Sequence, residues 1–329
     1  MAVLFVGAEV DAFRKVGSDI VYDTTAGRFD PDFARGALRL RYDTYLVADL
    51  PNLPDEFWIH FKISLPNRYY SRIDGNVVEL RALNGDIIWG LYVADGEFQT
   101  FYWGGFSATE IEPKFSLSGD ESLDDVDLHY IYGTSGLIEA YFNGILVSSY
   151  SADTTTIQGG DRPVSVRLNA SENGGYAEGE AAISEFVIAD EPTINWRVAS
   201  LIPNAAGTTG QWSGAYTDVD EFGFDATDAI TTGTAGDLST FALSNLSTAA
   251  AGLEVKAVAV AGNALAGTSG PQNLEFAVRS GGADYFGATK SLTAGFKAYQ
   301  EVWNTDPATG VKWTVTDVDA LEAGVRAVA

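Results

Sequence analysis

Phe57 to Leu65, FWIHFKISL, alternates Phe57, Ile59, Phe61, Ile63 and Leu65 with Trp58, His60, Lys62 and Ser64. A period of two with one wholly apolar set is the pattern of a strand that turns one face to a core. Leu137 to Tyr150, LIEAYFNGILVSSY, sets Asn143-Gly144 between two such runs. A type I′ turn needs positive φ at both central residues, which Asn and Gly tolerate best. A two-residue turn there pairs Phe142 with Ile145, Ala140 with Val147 and Ile138 with Ser149. That register predicts a core face of Ile138, Ala140, Phe142, Ile145 and Val147, with Glu139, Tyr141 and Ser148 on the other side. The signature recurs in Leu80 to Trp89 around Asn84-Gly85 and in Leu91 to Phe101 around Asp95-Gly96, which together make an antiparallel meander. Val3 to Val6, Val164 to Leu168 and Ala182 to Ile188 read as further strands. Many short strands with Gly-rich turns predict a sandwich of two antiparallel sheets.

The pattern changes at Ala189 to Thr193, ADEPT, where charge and a proline interrupt the strands, and the sequence beyond is richer in Ala, Thr, Gly and Ser. We place a boundary there, with one domain over 1–190 and a smaller β module over 191–329. Its strand-like runs are Leu253 to Val260, Leu274 to Arg279, which a Gly281-Gly282 turn follows, and Phe296 to Trp303. Asn304 to Gly310, NTDPATG, reads as a turn flanked by Trp303 and Trp313, which are expected to clamp it against the module. Thr316 then caps a short C-terminal helix whose stripe is Val318, Leu321, Val325 and Val328. Asp317 and Asp319 near its start and Arg326 near its end suit the helix dipole.

At 329 residues the chain is long enough for two domains, and a hydrophobic share of 46% is that of a globular protein. Its 20 Lys and Arg against 45 Asp and Glu give a net charge of -25, which would repel a phosphate backbone and excludes nucleic acid as the expected partner. No Cys is present, so disulfides and thiolate metal sites are excluded and stability must come from packing. The opening MAVLFVGAEVDAF lacks a basic leading segment and meets Glu9 and Asp11 too soon for a signal peptide or a membrane span. The expectation is synthesis in a cytoplasm with no secretory route and no membrane contact.

Two likenesses to known families sharpen this reading. Tyr130 to Val147, YIYGTSGLIEAYFNGILV, resembles the recurrent hairpin of laminin-G-like, concanavalin A-like jelly rolls, and the meander before it fits that family over about residues 1–190. Ile183 to Trp212 and Trp303 to Val325 resemble the tail half of structural proteins of tailed bacteriophages, where a lectin-like domain precedes a small β module. The implied architecture is all-β: a concanavalin A-like jelly roll, then a smaller β-sandwich or barrel module with a short C-terminal helix. The implied function is that of a virion structural protein, displayed on the head or tail surface and acting by binding. Its partners would be other virion proteins and copies of itself. The alternative is a lectin or adhesin that binds host-surface glycans, and a degenerate glycosidase is a weaker third.

Candidate chemistry is sparse. A retaining glycosidase needs two carboxylates about 5 Å apart; Glu9-Val10-Asp11 begins such a strand motif, but Arg14 occupies its last position and no catalytic residue is assigned. His60 and His129, the only histidines, have no Cys beside them and read as ordinary surface or hydrogen-bonded side chains, with His60 on the polar side of its strand. Ser118 to Asp127 carries Asp120, Glu121, Asp124, Asp125 and Asp127. Asp120, Asp124 and Asp125 are the candidate Ca²⁺ ligands, although the spacing departs from an EF-hand loop and a solvated acidic loop is the simpler reading. Tyr69, Tyr70, Tyr102, Trp103 and Phe106 lie near strand ends and are the candidate rings for stacking on sugar faces. Val318, Leu321 and Val325 are the candidate assembly contact, because a helix this short must bury its stripe somewhere.

Overall fold

In the computed structural model, residues 2–7, 12–16, 21–41, 44–50, 52–65, 75–94, 97–104, 107–116, 122–169, 180–221 and 225–329 are described. The chain forms two compact units, one of Val6–Val198 and one of Ala199–Ala329 together with Ala2–Phe5. Asn304 secures that short N-terminal piece to the second unit: its Oδ1 accepts from the Val3 N–H at 2.6 Å, and its Nδ2 donates to the Val3 carbonyl.

β1 Val3–Gly7 begins in the second unit and ends in the first, which holds β2 Arg14–Val16, β3 Val21–Asp23, β4 Ala37–Arg41 and β5 Tyr45–Asp49. β6 Glu56–Ser64, β7 Gly75–Arg81, β8 Ile87–Ala94, β9 Glu97–Gly104 and β10 Ser107–Ser116 follow. The set ends with β11 Asp124–Ile131, β12 Gly136–Phe142, β13 Ile145–Ala152, β14 Ser165–Asn169 and β15 Glu180–Ala189. Two antiparallel sheets result. The first runs β13-β12-β11-β6-β15-β4-β3 with β1 also on β15, and the second runs β10-β9-β8-β7-β14-β5-β2. Apolar rows from the facing sides fill the space between them, with Phe57, Phe61, Trp89, Phe98, Tyr130 and Phe186 fully buried. Phe98 of the second sheet meets Phe142 of the first at a ring distance of 6.3 Å, and Thr100 bonds Ser148 at 2.8 Å.

The Asn143-Gly144 turn forms with positive φ at both residues, 49° and 76°, as the type I′ reading requires. Its strands depart from the expected register. Phe142 pairs with Ile145 and Tyr141 with Leu146, but a bulge after Tyr141 then sets Ala140 opposite Ser148 and Ile138 opposite Tyr150. Val147 is the inserted residue and every side chain after it is flipped, so Ser148 turns inward in place of Val147; Ile145, also expected in the core, keeps its place opposite Phe142 but is 68% exposed at the hairpin end. The Asn84-Gly85 hairpin closes as a longer loop: the Ala82 N–H bonds the Asp86 carbonyl and Gly85 alone takes positive φ, 90°. β8 and β9 pair around the Asp95-Gly96 position, whose two residues lie outside the described ones.

The second unit contains β16 Pro203–Gly210, β17 Leu238–Leu243, β18 Val258–Ala264, β19 Asn273–Ser280 and β20 Ala283–Phe286. β21 Lys290–Ser291, β22 Lys297–Trp303 and β23 Glu322–Val328 complete it. One sheet runs β16-β17-β23-β19-β20 with β21 on β19, and β18 and β22 form a separate pair. The Gly281-Gly282 turn joins β19 to β20 with φ of 58° and 84°. Trp313 is buried and donates its indole N–H to the Trp303 carbonyl at 2.9 Å, which supplies the expected clamp over the turn.

The C-terminal helix is shorter than its apolar stripe implied. α1 covers only Val315–Asp319, and its cap is Thr314, not Thr316, through a capping box in which Thr314 and Asp317 bond each other's backbone N–H. Beyond it the chain extends into β23, the central strand between β17 and β19. Val318 and Leu321 pack with Val278 and Trp313 in the core of their own unit, while Val325 lies in a strand, so the three do not form a helical contact face.

Candidate ligand-binding face

The side of the second sheet that faces away from the sandwich is unusually polar. In β9, Phe98 and Thr100 point inward, so Gln99 and Phe101 point outward. Pairing extends that outward row. Phe101 faces Gly90, Gly90 faces Glu79, Glu79 faces Arg167, Arg167 faces Val47, and Val47 faces Arg14. The next row along the strands holds Gln99, Tyr92, Asn76, Asn169 and Tyr45. Gly90 is required by this arrangement, because a Cβ there would lie 2.7 Å from the Phe101 ring, which instead lies over the bare backbone.

Glu79 is the buried charge at the centre. Its Oε1 accepts from Asn76 Nδ2 at 2.7 Å, and its Oε2 accepts from Arg81 Nε at 2.7 Å with the Arg81 Nη2 at 2.6 Å. Arg167 stands 3.7 Å from the same carboxylate and lays its guanidinium over the Tyr45 ring at 3.6 Å. Tyr92 meets Phe101 edge to face at 6.4 Å. Gln99 and Asn169 are only 5% and 2% exposed, yet Gln99 Nε2 and Asn169 Oδ1 have no hydrogen-bond partner among the described residues. Buried polar atoms are normally paired, and one left unpaired costs roughly 1–3 kcal/mol. Among the described residues, then, this face holds an amide donor and an amide acceptor without partners, beside charged groups already fixed in place.

Of the ring residues singled out in the sequence, Tyr102 alone has a described side chain, and it belongs to the inner side of β9 with Phe98 and Thr100. Tyr102 is half-buried, stacks on Tyr150 at 4.7 Å and accepts from its hydroxyl at 2.9 Å. That hydrogen bond, with burial, pushes the Tyr150 phenol up to about 12. The Trp103 backbone pairs with Ala108, and Tyr69, Tyr70 and Phe106 lie outside the described residues. Glu9, Asp11 and Asp120 also lie outside them.

Asp124 and Asp125 belong to β11 and not to a loop, and as neighbours on a strand they point to opposite faces. Asp124 accepts from Ser122 and from Asn143 Nδ2, whereas Asp125 takes the Lys62 ammonium at 2.6 Å. The two carboxylates thus have separate partners and share no cation position. Among the described residues no group of three or more His, Asp and Glu converges as a metal site would.

His60 is fully buried and not on an open polar surface. Its Nδ1 lies 2.9 Å from Asp127 Oδ1, which also accepts from Thr193 Oγ1 at 2.8 Å. His129 stacks on Trp58 at 4.1 Å, with Glu139 and Glu56 each 3.1 Å from one ring nitrogen. The Tyr141 hydroxyl donates to the same Glu139, and burial together with that carboxylate pushes the phenol up to about 12.

No family model matches the chain, and no curated protein matches it. Among solved structures, 54% of the chain is similar to 44% of the receptor-binding domain of botulinum neurotoxin D, at 13% identity and a TM-score of 0.41. A ligand-binding domain of the serotype D toxin, solved with N-acetylneuraminic acid, is similar to the same extent, at 13% identity and a TM-score of 0.41. An endo-β-1,4-glucuronan lyase of the fungus Trichoderma reesei is similar over 54% of this chain and 90% of its own, at 12% identity and a TM-score of 0.42. The chain spans less than half the length of the toxin domains it resembles.

Proposed function

We propose that this chain is a binding protein that takes a saccharide on the outward face of its second sheet. The observation that carries the reading is that Gln99 Nε2 and Asn169 Oδ1, both buried, have no hydrogen-bond partner among the described residues, on a face that also holds Tyr45, Tyr92, Arg167 and Glu79. A sugar hydroxyl both donates and accepts, so a run of hydroxyls satisfies an amide donor and an amide acceptor together, while neighbouring rings cover the apolar faces of the pyranose. The reading is of binding without bond cleavage. Both oxygens of Glu79, the one buried carboxylate of this face among the described residues, are engaged by Asn76 and Arg81, whereas glycoside hydrolysis works through a carboxylate pair. The setting we propose is display on a tailed-phage particle, after the sequence resemblance; mass spectrometry of gradient-purified particles tests it by the presence or absence of stoichiometric copies.

The binding test is a glycan panel followed by calorimetry on any hit. Gln99→Ala and Asn169→Ala should each weaken binding by roughly 1–3 kcal/mol. In the unliganded protein the same changes remove unpaired groups, so thermal stability should hold or rise, which separates loss of binding from loss of fold. A panel without hits, or hits indifferent to both substitutions, would refute the reading.

A further inference from the structure

β18 has the makings of an interface between two copies of this chain. It pairs with β22 over seven consecutive residues without a bulge, and β22 is its only sheet partner among the described residues. Among the described residues no other backbone hydrogen bond involves Val258–Ala264, so one edge of the strand presents free N–H and C=O groups. The sequence VAVAGNA contains neither charge nor proline, and its residues are half-buried apart from the exposed Ala261. Open edges are ordinarily guarded by charge, proline, bulges or brevity, because an unguarded one templates another strand.

The other edges of this unit are guarded. β16 starts at Pro203 and breaks register twice, β20 spans four residues and carries Asp284, β21 spans two, and β22 carries Lys297 and Glu301. We propose that β18 pairs antiparallel with β18 of a second copy across a two-fold axis at Ala261. Val258 then faces Ala264, Ala259 faces Asn263 and Val260 faces Gly262, and every pair is uncharged. The strand is its own complement: paired about Ala261 it sets no charge against a charge, so two copies of a chain of net charge -25 can meet here without opposing like charges, as a two-fold contact requires.

The test uses the full chain. Sedimentation equilibrium should show a concentration-dependent dimer at physiological salt, and Ala261→Lys, which sets two ammonium groups face to face at the axis, should abolish it while the circular dichroism spectrum is unchanged. Because the chain has no Cys, Ala261→Cys should give a disulfide-linked dimer on mild oxidation, since directly opposed positions come within bonding reach. Ala205→Cys, on the guarded edge strand β16, should not. A monomer at every concentration overturns the proposal, as does a dimer that survives Ala261→Lys, cross-links through position 205, or forms only with an added protein of another kind.

Discussion

Asp127 joins two distant polar side chains in the interior of the first unit. Its Oδ1 serves both His60 and Thr193, and all three side chains are buried. Asp127→Ala strands an imidazole nitrogen and a hydroxyl in the interior, at roughly 1–3 kcal/mol for each group left unpaired. Asp127→Asn keeps an acceptor oxygen in place and should cost less. Urea unfolding followed by tryptophan fluorescence measures the difference, and equal losses for the two variants would show that the geometry is not what matters. His60 was legible as a strand residue opposite an apolar face, but its burial was not. The reason lies 133 positions away, where Thr193 reaches back to the same carboxylate, and a period-two pattern carries no trace of so distant a cover. The ligand-binding face was hidden in the same way: Glu79 in GNVVELR and Arg167 in SVRLN each occupy an outward strand position, yet they become neighbours only when β7 pairs with β14.

At the level of elements, turn chemistry was the most legible part and strand register the least. Asn143-Gly144 and Gly281-Gly282 form the tight turns their residues demand, because positive φ at two successive positions is a local requirement. The bulge at Val147 answers to tertiary packing, and it exchanges Val147 for Ser148 on the inner face. The C-terminal stretch shows why a helical stripe can mislead. Val318, Leu321, Val325 and Val328 fit a 3.6-residue period, but Gly324 between them is poor in a helix and indispensable in a central strand: a Cβ there would stand 2.0 Å from the Ser239 carbonyl oxygen. Gly324→Ala should therefore destabilise the second unit even though alanine is the better helix former. Leu321→Ala should cost about 2–5 kcal/mol, as for other buried leucines, because it opens a cavity beside Trp313, Val278 and Val318. Calorimetry of both variants decides the matter, and a gain in stability for Gly324→Ala would restore the helical reading.

For the whole molecule the governing quantity is the excess of 25 carboxylates, 45 less 20, that no Lys or Arg can neutralise. Ion pairs such as Arg14 with Asp49 are exposed and weak, so added salt costs little there, while it relieves repulsion everywhere else. Raising NaCl from 0.01 M to 1 M shortens the screening length from about 30 Å to about 3 Å, and the Tm should rise. A falling Tm would mean that attractive pairs outweigh the excess.

Acid should act in the opposite sense, and through particular carboxylates. Burial pushes Asp23 up, but hydrogen bonds from Thr25 and the Arg28 guanidinium outweigh it and hold the group below its ordinary 3.8. Burial is likewise outweighed at Glu275 by Thr289 and Arg326, and at Asp306 by Ser280, Ala308 and Thr309. A carboxyl that is more acidic folded than unfolded stabilises the fold at pH values above its unfolded pKa. That contribution fades once the pH falls below about 4 and is gone below the folded value. Glu221 runs the other way: burial and the neighbouring Asp228 raise it, so it favours the fold when protonated and loses that contribution as the pH climbs through its folded value. Between pH 7 and 5 the lowered groups stay ionised, so the Tm should not fall there. Below pH 4 it should fall steeply in both units, since Asp23 lies in the first and Glu275 and Asp306 in the second. Replacing Glu275 with Gln should flatten the acid limb of the second unit alone, and a pH profile unchanged by Glu275→Gln would show that the Arg326 pair does not contribute to it.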